Sequence, residues 1–162
     1  MKFVSPSHGE VSIDQVYQAI RRYMDGDDKS QYRLIIGTDS QVRQRTIYVT
    51  AVIIHRVGKG ARYFYTKRYE RATNSLRQRM YYETSLSLDV ASRLTALIAR
   101  EDETLEDENR LDLEIHLDIG RSGETRGLIR ELVGMVIGSG FAARIKPHSF
   151  GASTVADKHT KT

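Results

Sequence analysis

Between Tyr32 and Tyr69 three strand-type runs follow one another across turn-length gaps, and few folds accept such a sequence. "YRLIIGTDSQ" (Tyr32 to Gln41), "TIYVTAVIIH" (Thr46 to His55) and "RYFYTKRY" (from Arg62) are rich in β-branched and aromatic residues, and Gly58-Lys59-Gly60 separates the last two. Loops this short join only antiparallel neighbours, so the segment predicts a three-stranded meander. After it the period changes. Asn74 to Arg100 is one long helical pattern, followed by the acidic run "EDETLEDE", which reads as a solvated loop. "LDLEIHLDIG" (111–120) alternates, with Leu111, Leu113, Ile115, Leu117 and Ile119 on one face and Asp112, Glu114, His116 and Asp118 on the other, as a half-exposed fourth strand would. Ser122 to Gly138 is helical again, "FAARIK" is a short fifth strand, and "STVADKHTK" is a terminal helix with Ser153 as its cap. Ahead of the meander, Ser12 to Met24 places Ile13, Val16, Tyr17, Ile20, Tyr23 and Met24 at helical spacing behind a Ser12/Gln15 capping box. The order α-βββ-α-β-α-β-α predicts an α/β fold: a mixed five-stranded sheet flanked by helices, with an extra N-terminal helix.

At 162 residues, without an internal repeat or a low-complexity linker, the chain is expected to form one domain over 1–162, with 1–28 a helical extension packed on it. No apolar run approaches the ~20 residues that span a bilayer, and "MKFVSPSHGE" lacks a secretory h-region, so a cytoplasmic protein without membrane contact is expected. The absence of cysteine excludes disulfides and cysteine-ligated zinc. A net charge of +4 and a pI near 9.4 favour anionic partners.

Four acids stand in awkward places. Asp39 ends an apolar run fit for a central strand, where an unpaired carboxylate costs several kcal/mol unless something compensates for it. Glu83 is odder still: at about 100° per residue, Leu76, Met80, Leu86, Val90, Leu94, Leu97 and Ile98 lie within roughly 60° of it, so it occupies the middle of the apolar stripe. It pairs there with an arginine, or it belongs to a site shared with Asp39, Asp118 and Asp157. Crowded carboxylates raise one another's pKa unless cations neutralise them, and an all-oxygen donor set suits Mg²⁺ or Mn²⁺ rather than zinc. Two such ions can activate a water on one side of a phosphodiester and stabilise the leaving oxygen on the other.

"IIGTDSQ", "YYETSLSL", "EIHLDIG" and "IKPHSFGASTVADKHTK", in this order of elements, resemble the YkuK-type family of uncharacterised bacterial proteins, a branch of the ribonuclease-H-like superfamily. The resemblance runs from about Tyr32 to the end of the chain. It implies a ribonuclease-H-like fold and, by analogy with nucleases of that superfamily, Asp39, Glu83, Asp118 and Asp157 as the catalytic and metal-binding acids.

Cations and aromatics interleave from Arg56 to Arg79, among them Arg62, Lys67, Arg68 and Arg71 with Tyr63, Phe64, Tyr65 and Tyr69. They read as a phosphate-tracking groove with stacking rings, or as a solvated edge strand guarded by cations with its aromatics turned into the core. Arg126 near the start of the helix after Asp118 is either a phosphate contact or a surface charge. Lys146 and Lys158 either neutralise acids or meet phosphates, and Ser40 and His116 are candidates to support the acids. His159, about 200° round the helix from Asp157, reads as structural or solvent-facing.

The sequence therefore predicts a nuclease using two Mg²⁺ or Mn²⁺ ions on a nucleic-acid partner, RNA, DNA or hybrid. The alternatives are a non-catalytic nucleic-acid-binding module of the same fold and a structural protein that homodimerises.

Overall fold

The computed structural model describes residues 1–101, 110–120, 123, 126–146 and 148–161. The elements run β1 (Lys2–Ser5), β2 (Gly9–Ser12), α1 (Ile13–Asp25), β3 (Tyr32–Val42), β4 (Arg45–Arg56), β5 (Gly60–Arg71), α2 (Leu76–Glu101), β6 (Leu111–His116), α3 (Ile129–Gly138), β7 (Ala142–Arg144) and α4 (Phe150–Thr160). One mixed sheet of seven strands has the order β2-β1-β5-β4-β3-β6-β7. β3, β4 and β5 form the expected antiparallel meander, with Gly58 and Gly60 at positive φ in the turn between the last two. β6 and β7 add in parallel beside β3, as strands fed by helical crossovers must.

The five-stranded expectation falls short by the hairpin β1–β2. Two runs of four residues carry little periodicity, yet Val4 pairs with Tyr65 and Phe3 is fully buried. In consequence β5 is covered along part of its length and is not the free edge that one reading of its cations required. The N-terminal helix is present as α1, and both capping-box bonds form, Gln15 N–H to Ser12 Oγ (3.2 Å) and Ser12 N–H to Gln15 Oε1 (2.8 Å).

The helices divide between the two faces. α1, α2 and α3 cover one, where Val16, Ile20, Leu94 and Leu132 close on Leu34, Ile36 and Ile115 in the main core. Among the described residues α4 is the helix that packs on the other, setting Val155 and Ala156 against Ile35, Val49, Ala51 and Ile53. That placement corrects the reading of β6 as half exposed: α4 also reaches β6, and Glu114 and His116 are buried. α4 begins at Phe150, so Ser153 lies inside the helix rather than at its cap. A 3-10 turn at Arg126–Leu128 precedes α3. The helix start expected at Ser122 and most of the acidic run lie outside the described residues. No helix among the described residues is long and apolar enough to cross a membrane.

Candidate metal centre

Strand alternation decides where Asp39 points. Tyr32, Leu34 and Ile36 enter the main core, which leaves Ile35, Gly37 and Asp39 on the α4 face. Burial first, then the charges of Asp118 and Asp157, push the Asp39 carboxyl up to about 7 against the opposing Ser40 backbone N–H. No basic side chain forms an ion pair with it among the described residues.

Glu83 reaches the same end of the sheet from the opposite layer. It lies in the buried stripe of α2 with Met80, Thr84, Ser87, Val90, Ala91 and Leu94, and is only 5 % exposed. Burial holds its pKa well above the usual carboxylate range; the Ser40 hydroxyl, donating at 2.5 Å, opposes this, and the charges of Asp39 and Asp118 add to it. Glu83 makes no ion pair among the described residues, and Arg79 moderates its charge only through the field. Ser40 and Asp39, successive in β3, thus serve both layers at once.

Asp118 follows two residues after β6 and accepts a 2.7 Å bond from Lys146 Nζ, which in turn holds the lysine's pKa up. Asp157 on α4 is half exposed and pairs with Lys161 at 3.1 Å, one helical turn on. A cavity of about 10 Å³ is lined by Glu83, His116 and Asp118 together with the hydroxyls of Thr38 and Ser87. The four acids come from three elements, β3, α2 and α4, and from the segment after β6. Asp39 feels Asp118 and Asp157, and Glu83 feels Asp39 and Asp118. Among the described residues no three His, Cys, Asp or Glu side chains are closed into a ready-made ligand set. The donor chemistry nonetheless fits a hard divalent cation: every group is a carboxylate, and Asp39 and Glu83 are held up by burial and by the charges of neighbouring acids.

His116 lines that cavity, but one of its ring nitrogens is engaged by Glu114. Its Nε2 meets Glu114 Oε1 at 2.8 Å, and burial lowers its pKa while Glu114 opposes. Glu114 also draws in the half-exposed Arg144 (3.5 Å) and Arg33 (3.9 Å), forming a charged knot around a buried carboxylate four residues before Asp118. Glu114 escaped the sequence reading because alternation marked it as exposed, and only the covering by α4 reverses that. His159 is structural, stacked on Tyr65 at 3.8 Å and 3.3 Å from the Tyr63 hydroxyl. Lys158 is exposed near it and, among the described residues, forms no ion pair with an acid of the group.

The cations of β5 do not share one surface. Arg62 and Arg68 alternate onto the face of α1 and α2, where Arg62 lies over Tyr23 (4.9 Å) and Arg68 pairs with Glu70 (2.8 Å). Lys67 and Arg71 alternate onto the face of Asp39. Arg126 is exposed in the 3-10 turn.

A seven-stranded mixed sheet with acids converging at one end from β3, α2, the segment after β6, and α4 defines an α/β protein of the ribonuclease H-like class. The family model described as Ribonuclease H-like matches residues 15–161, and the chain belongs to that family. It is 35% identical to the uncharacterized protein YkuK of Bacillus subtilis (strain 168), over 98% of this chain and 96% of YkuK. No solved structure matches.

Proposed function

We propose that this protein is a divalent-metal-dependent nuclease that hydrolyses phosphodiester bonds of a nucleic acid, with Asp39, Glu83, Asp118 and Asp157 as the ligands of two Mg²⁺ or Mn²⁺ ions. The observation that carries this reading is the electrostatic strain of the acids: two carboxylates from opposite layers, Asp39 and Glu83, are raised by burial and by their neighbours, with no ion-pair partner among the described residues. Structural acids are placed beside cations; acids left crowded and unneutralised are a mark of a functional site. When bound, the ions supply charge neutralisation at the scissile phosphate and a lowered pKa for the attacking water. The chain's own groups set the stage. Ser40 fixes the Glu83 carboxylate by its hydroxyl, Lys146 balances Asp118, and the His116–Glu114 knot stiffens the segment that carries Asp118.

A second reading, a nucleic-acid-binding module without turnover, is favoured by one specific contact: Lys146 already occupies Asp118 at 2.7 Å. Incubation of labelled single-stranded and duplex RNA and DNA with the protein in Mn²⁺, Mg²⁺ or EDTA separates the two. The nuclease reading expects cleavage that needs the metal and falls by orders of magnitude in Asp39→Asn. Tight binding with no cut product in any metal supports the second reading instead.

A further inference from the structure

On the face of the sheet that carries Asp39, side chains stand in rows across β3, β4 and β5. Asp39, Val49 and Lys67 form one row, Gln41, Ile47 and Tyr69 the next, and Arg45 and Arg71 the row after that. α4 covers the first of these, burying Val49 against Ala156, and Ile47 of the second packs against the same cluster. Beyond the helix the face lies open: Tyr69 is 47% exposed, and Arg45 and Arg71 are exposed.

The outermost row is the anomaly. Arg45 and Arg71 are direct cross-strand partners, and like charges directly opposite each other destabilise a sheet. Neither has a carboxylate partner among the described residues. Arg45 is instead spread over the Tyr69 ring at 4.7 Å, which keeps its guanidinium against the sheet. Arg43, exposed in the turn between β3 and β4, brings a third cation to the same end, while Lys67 and Lys158 gather near His159 at the inner end. Such an arrangement makes physical sense when an external anion lies between the charges.

We propose that this strip is the track of a nucleic-acid strand, whose phosphates run from the acid cluster over Lys67 and Tyr69 to the Arg45–Arg71 row. The inference rests on the reading of the four acids as the reaction site, and it assigns the path and length of the substrate. Four residues of strand separate the Asp39 row from the Arg45 row, ~13 Å, or roughly four base-pair steps of a duplex. The substrate is therefore a polymer that extends several nucleotides past the acids rather than a dinucleotide. Arg62 and Arg68, on the opposite face, take no part in it.

The test uses the full chain carrying Asp39→Asn, so that binding is read without turnover. Fluorescence anisotropy of a labelled single strand and of a labelled duplex is followed from about 50 to 200 mM salt. Arg45→Gln with Arg71→Gln is expected to weaken binding about tenfold or more at low salt and to flatten the log–log salt slope by up to about two units. Arg62→Gln with Arg68→Gln should leave affinity within about twofold and the slope unchanged. Without nucleic acid, Arg71→Gln should melt no lower than the parent, because it relieves a repulsion. The two oligonucleotides separate a single strand from a duplex as the source of the phosphates. Equal losses from both pairs of substitutions, a slope that ignores Arg45 and Arg71, or no salt-dependent binding overturns the track. Binding as expected by a protein that never cuts sinks the nuclease reading and leaves the track standing; cutting that is indifferent to Arg45 and Arg71 does the reverse.

Discussion

Glu83 occupies a place where an amphipathic helix would ordinarily carry leucine, and its surroundings raise its pKa rather than satisfy its charge. Replacing it with glutamine keeps the shape and the Ser40 bond while removing the charge that burial penalises. Glu83→Gln should therefore unfold in urea at a midpoint equal to or above that of the parent in EDTA, and should lose metal response. A loss of ~3–5 kcal/mol, the cost of orphaning a buried partner charge, would point to a concealed ion pair instead. Asp39 carries a pH signature of its own. Its folded pKa of about 7 lies above the ordinary aspartate value of 3.8, so between those values the folded state holds a proton that the unfolded state has released. Stability from this group is thus full below about pH 4 and declines as pH rises towards 7, by up to roughly 4 kcal/mol if Asp39 acts alone. Asp39→Asn should remove that decline, which urea midpoints at pH 5 and pH 8 would reveal.

Among the elements, those with long and strong periodicity were legible from sequence alone. The meander, α1 with its capping box, and α2 with Glu83 in its buried stripe stand where the pattern placed them. The misses share a physical cause: burial supplied by something distant in sequence. Nothing in "LDLEIHLDIG" says that α4, some 30 residues on, will cover the polar face of β6, so Glu114 and His116 looked exposed. Likewise the cross-strand meeting of Arg45 and Arg71 depends on the register of two strands and cannot be counted along one. β1 was too short for alternation to register, yet its Phe3 is 0% exposed and packs with α1. Phe3→Ala should cost about 3–5 kcal/mol, as for other fully buried phenylalanines. A change in the urea midpoint worth less than 1 kcal/mol would mean that the hairpin is a detachable flap rather than part of the core.

Across the whole molecule, the acids at one end of the sheet link its two layers: Asp39 and Asp157 on the α4 side, Glu83 on the α2 side, Asp118 between them beside β6. A cation held by all four would brace α4 against the rest, so metal binding should register as global stability. A ligand that binds only the folded state at about a hundred times its Kd adds about 2.7 kcal/mol, which for a chain of this length is roughly 5–10 °C in Tm. The increment should depend on pH, because a carboxylate must give up its proton to ligate and Asp39 does so only near 7. Millimolar Mn²⁺ should therefore raise Tm more at pH 8 than at pH 6. Asp39→Asn should lose most of the increment at both values, while its metal-free Tm at pH 8 is equal to or above the parent's. Thermal melts of the two proteins, each with Mn²⁺ and with EDTA, give all the terms needed. An increment equal at pH 6 and pH 8, or one retained in full by Asp39→Asn, would show that the ion binds elsewhere and would remove Asp39 from the proposed ligand set.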